Sequence, residues 1–67
     1  MTAVISSNLR AVDYDGFGTL TIEFHSGGVY EYYGVPYSEY WGLLQANSPG
    51  QYFHGHIKNR HRFRRVG

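Results

Sequence analysis

Arg60, Arg62 and Arg64 recur at every second position in KNRHRFRRVG, residues 58–67 of a 67-residue chain. In an extended segment that spacing sets three guanidiniums on one face. A guanidinium forks two hydrogen bonds onto phosphate and stacks on bases, so the chemistry is anion binding. Lys58 and Asn59 precede the row. Tyr52, Phe63 and an outward Tyr33 supply rings on which a base can stack, and His54 adds a ring donor. The candidate ligand-binding residues are therefore Tyr33, Tyr52, His54, Lys58, Asn59, Arg60, Arg62, Phe63 and Arg64.

Charge distribution supports an anionic partner. The formal net charge is only +1. Residues 1–57 hold one base, Arg10, against five acids, a net −4, whereas residues 58–67 hold five bases and no acid, a net +5. Such a split points to an anionic ligand more strongly than the total does. Two other readings stand beside it: the arginines are solvated, or they pair with Asp13, Asp15 or Glu23 on neighbouring strands.

Catalysis is not expected. Asp13, Asp15, Glu23, Glu31 and Glu39 are scattered, with no paired-carboxylate spacing and no nucleophile motif. Metal binding is not expected either. His54 and His56 in HGH stand two apart, which on a helix places them on different faces. DYDGFG has its glycine too early for a calcium loop and lacks the later ligands. GFG precedes a strand, not the helix that a nucleotide-binding loop requires. No cysteine is present, which excludes disulfides and thiolate sites. No cofactor is anticipated.

The elements that must position these residues follow from periodicity and turn chemistry. LRAVDYD (9–15) reads as a first strand. TLTIEF (19–24) alternates, with Leu20, Ile22 and Phe24 on one face, as in a half-buried antiparallel strand. VYEYYGV (29–35) is a third strand, joined to the second by a hairpin through Ser26-Gly27-Gly28. This three-residue loop sets Phe24 opposite Tyr30 and Ile22 opposite Tyr32, both tyrosines on the covered face. A two-residue loop would turn Glu31 inward, a costly burial. Pro36 opens a helix in which Tyr40, Leu43 and Leu44 face the sheet. Tyr37 and Trp41 are expected to support that contact; an outward Trp41 would instead suggest a subunit contact. Ser48, Pro49 and Gln51 spell a capped second helix carrying Phe53 and Ile57. RHRFRRV (60–66) returns to alternation as a last strand, added to the sheet or lying along its edge. The expected fold is α+β: a small antiparallel sheet of about four strands, in the order β-β-β-α-α-β, with two short helices on one face.

One domain fills residues 1–67. A chain this short buries only about 60% of its unfolded surface and usually needs an additional stabiliser. Its 18% aromatic content supports both a ring-built core and an interface, so a homo-oligomer is expected. No apolar run approaches the roughly 18 residues of a membrane helix, and MTAVISSNLR lacks the marks of a signal peptide. These features predict a soluble, cytoplasmic protein, complete from Met1.

Taken in order, TLTIEFHSGGV, the central Tyr30-Glu31-Tyr32, Gly34-Val35-Pro36, Tyr40, Leu43, Ala46, Ser48, Gly50-Gln51-Tyr52-Phe53 and Ile57-Lys58 resemble the KTSC domain family. The resemblance spans residues 5–66. Members of that family are small single-domain proteins or an extra C-terminal domain of some lysyl-tRNA synthetases. That association implies RNA binding. Two departures fall in the candidate binding region: His54 stands where the family usually has asparagine, and His61 and Phe63 stand where paired tyrosines are common. They imply a ligand different from that of relatives. The resulting expectation is a non-enzymatic module for RNA or a small signalling nucleotide, of bacterial or phage origin. The alternative is a protein–protein or homo-oligomeric module without a nucleotide.

Overall fold

In a computed structural model, which describes residues 1–67, the chain forms a five-stranded antiparallel sheet with strands in sequence order. These strands are β1 (Thr2–Ala3), β2 (Leu9–Tyr14), β3 (Leu20–Phe24), β4 (Val29–Tyr32) and β5 (Phe63–Arg65). Helices α1 (Tyr37–Gln45) and α2 (Pro49–His56) lie between β4 and β5. Leu43, Phe53 and Ile57 from the helical segment share one core cluster with Leu9, Val12, Leu20, Ile22, Tyr32 and Val35. Both helices therefore cover the same face of the sheet, as expected.

The fifth strand, β1, is an addition to the predicted four. Two residues are too few to show alternation, yet Thr2 and Ala3 pair with Val12 and Ala11. A second departure lies in β2. The register with β3 shifts between Leu9 and Ala11, and this bulge lets Leu9 and Val12 both reach the core. Simple alternation would have put them on opposite faces.

The β3–β4 turn comprises His25-Ser26-Gly27, one residue earlier than predicted. The Phe24 amide donates to the Gly28 carbonyl at 2.9 Å, and Gly27 adopts φ +104°. Ile22 thus opposes Tyr30, and Leu20 opposes Tyr32. The expected pairs were Phe24–Tyr30 and Ile22–Tyr32. Because the loop length stays odd, each tyrosine keeps its predicted face: the register moves by two and the side-chain period is two. Tyr32 is buried, with Phe53 edge-on to its ring at 5.2 Å. β4 ends at Tyr32 and not at Val35, because the chain bends through Gly34 at φ +67°.

α1 and α2 start where proline and serine predict. Pro36 caps α1 in an extended conformation, and the Ser48 hydroxyl accepts the Gln51 amide at 3.3 Å. Tyr40 stacks on Tyr14 at 5.0 Å, while the Tyr14 hydroxyl donates to the Val35 carbonyl at 2.7 Å. Tyr37 supports the contact from its edge, its ring 6.1 Å from that of Tyr14 although 61% exposed, whereas Trp41, one turn on along α1, points outward at 51% exposed. The helices cross closely at Gly42, where any Cβ would run into the ring and hydroxyl of Tyr52.

β5 is shorter than the predicted strand. Residues 57–60 form a turn, with the Arg60 amide donating to the Ile57 carbonyl at 3.1 Å. Only residues 63–65 form the strand proper, which pairs into the sheet against β4, with Phe63 opposite Tyr32, Glu31 opposite Arg64 and Tyr30 opposite Arg65. Arg60 therefore lies outside the strand, and the row of three aligned guanidiniums does not form.

Candidate functional site: an aromatic cleft beside the second helix

Between α2 and the β3–β5 end of the sheet lies a cleft of about 480 Å³. Its position follows from local rules. β4 and β5 alternate, so Tyr30, Tyr32 and Phe63 all face the helices. α2 runs over this surface but ends at His56, leaving the outermost rings partly uncovered. Phe24, Tyr30 and Tyr32 line the sheet side, with Phe53 and Phe63 beside them. Phe63 lies 5.6 Å from Tyr32 and 6.0 Å from Tyr30, centroid to centroid, yet is 57% exposed.

Polar groups surround the rings. His54, Lys58 and Asn59 come from α2 and the turn that follows, and Asn8 and Ser26 from loops flanking β2 and β3. None of the lining residues is acidic. Arg65 stands at the margin, its guanidinium carbon 5.9 Å from the Tyr30 centroid. Its Nε donates to the Gly67 carbonyl at 2.8 Å; its terminal amino groups are separate donors. Burial raises the Tyr32 phenol above its ordinary pKa, with a smaller contribution from Tyr30, so Tyr32 is a neutral donor at physiological pH. The arrangement offers stacking surfaces, amides and cations with no opposing carboxylate.

Of the nine sequence-derived site residues, the cleft unites four: His54, Lys58, Asn59 and Phe63. Tyr33, Arg62 and Arg64 lie on the opposite face of the sheet. There the Tyr33 hydroxyl donates to Glu31 Oε1 at 2.9 Å, which pushes the phenol pKa up. Arg64 sits across from Glu31, but no arginine forms a salt bridge with a carboxylate. Tyr52 packs over Gly42 and stacks on His56 at 4.1 Å, a helix–helix role. Arg60 is exposed in the turn.

Asn8, Phe24 and Arg65 escaped sequence reasoning. The signal for Arg65 was present, since it shares its alternation phase with Phe63. Phe24 follows from its predicted place on the covered face, and Asn8 reaches the cleft only through the fold. His61 also escaped notice as a structural residue. Its Nε2 lies 2.7 Å from Glu39 Oε1 and its Nδ1 lies 3.1 Å from the Tyr33 carbonyl, tying the approach to β5 to the start of α1. His54 and His56 diverge, one to the cleft and one to Tyr52. The Asp15 carboxylate accepts the Phe17 and Thr19 amides at 2.7 and 3.0 Å, fastening the β2–β3 turn.

An antiparallel five-stranded meander with two helices inserted before its last strand, and an aromatic cleft where the second helix ends, defines a small α+β domain. The KTSC domain model matches residues 5–63, and the chain belongs to the KTSC domain family. A crystal structure of a KTSC domain protein from Yersinia pestis superposes with a TM-score of 0.93 at 34% identity, covering 98% of this chain and 94% of that one. A lysine-tRNA ligase of Trichormus variabilis is 48% identical over 48 residues, or 72% of this chain, and a ligase of Nostoc punctiforme is 50% identical over the same length. The chain spans only 9% of the length of either ligase. An uncharacterized protein of Stutzerimonas stutzeri is 40% identical over 60 residues, covering 88% of this chain and 84% of that one. No helix is long and apolar enough to cross a membrane.

Proposed function

We propose that this protein is a non-enzymatic cytoplasmic binding module for a phosphate-bearing ligand, RNA or a small signalling nucleotide. The observation that carries this reading is the cleft itself, with Lys58, Asn59, His54 and Arg65 arranged around five aromatic rings and no lining acid. Base stacking on rings tolerates any base, and guanidinium and ammonium groups favour phosphate. No carboxylate lines the cleft, and none of its hydroxyls is hydrogen-bonded to His54 or Lys58, so retention of a ligand suits it better than turnover. Similarity to a segment of lysine-tRNA ligases favours RNA as one source of that ligand.

The test is fluorescence polarisation with a labelled RNA and a nucleotide panel at two salt concentrations. Binding that weakens steeply with salt supports the reading; absence of binding to every ligand rejects it. A second reading rests on Tyr37 and Trp41, exposed together on α1 away from the cleft. It makes the protein an interaction or homo-oligomeric module. Light scattering separates the two, since a contact built on these rings gives a concentration-dependent mass that salt does not diminish.

A further inference from the structure

We propose that the cleft takes a single unpaired nucleotide, its base stacked on Phe63 and its phosphate held by Lys58 and Arg65. The inference rests on the phosphate-ligand reading above and names what that site selects.

Size comes first. A volume of about 480 Å³ lies in the range of small-ligand sites, roughly 300–1,000 Å³. An A-form duplex presents a shallow minor groove and a narrow major groove. It cannot place a stacked, paired base between α2 and β5. An unpaired base, free or splayed from a strand, can enter, which is the common mode of base-specific RNA recognition.

Phe63 is the second observation. Its neighbours Tyr30 and Tyr32 approach at 6.0 and 5.6 Å, yet more than half of Phe63 stays open to solvent. Leaving so large an apolar ring uncovered forgoes burial energy, whereas a base lying on it would restore the contact.

Strand parity sets how many cations the ligand meets. β5 places Phe63 and Arg65 towards the cleft and Arg64 away from it, opposite Glu31. The same alternation carries Arg62 to the outer face. A ligand seated in the cleft therefore meets two cations, Lys58 and Arg65, and not the five of residues 58–67. Each phosphate neutralised on a single strand contributes about 0.7 to the logarithmic salt slope. The slope for this site is thus at most about 1.4, against about 3.5 for a strand that engaged all five bases. Asn8, Asn59 and His54 surround the base position with amide and ring donors and acceptors, the types that read base edges.

The experiment titrates the 67-residue protein with the four ribonucleoside 5′-monophosphates, a labelled single-stranded RNA octamer and the corresponding duplex. Four proteins are compared: wild type, Phe63→Leu, Lys58→Gln/Arg65→Gln and Arg62→Gln/Arg64→Gln. A fifth, Phe63→Trp, places a fluorophore on the proposed platform. The expected result is binding of mononucleotide and single strand but not duplex, the single strand showing a salt slope of at most about 1.4. Phe63→Leu should weaken binding roughly tenfold or more, the scale of one lost base–aromatic stack. Arg62→Gln/Arg64→Gln should bind like wild type, and Phe63→Trp should be quenched on saturation. Duplex binding that depends on Arg62 and Arg64 would overturn the single-nucleotide inference and leave the phosphate-ligand reading standing. Failure of every ligand to bind would remove both. If Phe63→Leu does not fold, Phe63→Trp decides: saturable RNA binding without quenching rejects the stacking site.

Discussion

The two faces of β5 belong to the same three residues, yet their surroundings differ. Phe63 and Arg65 turn towards α2, where rings from β3 and β4 surround them and no acid lines the cleft. Arg64 turns to the open side of the sheet, across from Glu31, whose carboxylate already accepts the Tyr33 hydroxyl. A cation beside partly buried rings, with no fixed counter-ion, retains its attraction for an incoming phosphate. A cation on an open surface near an acid is solvated, screened and worth little. Within β5 itself each face carries one arginine, Arg65 or Arg64, and the local environment separates them.

The comparison breaks most severely if the cleft side is not also the core. Phe53 is buried and meets Phe24 and Tyr32 edge-on at 5.7 and 5.2 Å. Phe53→Ala is expected to destabilise the fold by about 3–5 kcal/mol, read by urea denaturation. A loss below about 1 kcal/mol would mean that the rings lining the cleft do not support the fold.

Affinity sharpens the comparison directly. Losing a hydrogen bond to a charged group costs about 1.5–3 kcal/mol. Lys58→Gln/Arg65→Gln is therefore expected to reduce nucleotide affinity by at least tenfold. Arg62→Gln/Arg64→Gln should change it less than threefold and leave the melting temperature nearly unaltered. Titration calorimetry on both double variants checks this; equal losses would erase the distinction between the faces.

His61 tests how β5 is held in position. Its ring bridges Glu39 and the Tyr33 carbonyl, so His61→Ala removes two contacts and leaves Glu39, itself half-buried, without its partner. A destabilisation of about 1–3 kcal/mol is expected, with a larger loss of amide protection in residues 62–66 than in β2 and β3. Uniform loss across the sheet in hydrogen exchange would show that His61 does not act locally on β5.

The smallest effect belongs to the far turn. Bonds from the Phe17 and Thr19 amides hold the folded Asp15 carboxyl below its ordinary value of 3.8. Its stabilising contribution is present above that ordinary value and is lost as pH falls through the lower, folded one. Asp15→Asn should therefore melt slightly earlier than wild type at neutral pH, with the gap closing as the solution is acidified below 3.8. Nucleotide affinity at neutral pH should be unchanged. A gap that persists in strong acid would separate the effect from the carboxylate.

Much of the fold was legible because its determinants are local. Leu20 and Ile22 announce one face of a strand, Ser48 followed by Pro49 announces a helix start, and Phe53 with Ile57 phases α2 towards the sheet. Even the misplaced β3–β4 turn left Tyr30 and Tyr32 on their predicted face, because any even shift preserves parity. The site was legible only in its sequence-adjacent members, His54, Lys58, Asn59 and Phe63. Phe24 stands on the covered face that its alternation predicts, whereas Asn8 joins through the pairing of β2 with β3, which no spacing within the chain encodes.

The order of residue types by itself determined the alternation of β3, β4 and β5, the start of both helices and the concentration of positive charge after residue 57. These depend on φ/ψ preference, capping and side-chain period, which act over a few residues. Tertiary structure decided that β5 begins only at Phe63, that the side carrying Phe63 and Arg65 turns towards the helices, and that Phe63 stays uncovered there. Those outcomes depend on the register of β5 against β4 and on the crossing of α1 and α2 at Gly42. The first is set by hydrogen bonds between strands far apart in the chain, the second by packing between consecutive helices.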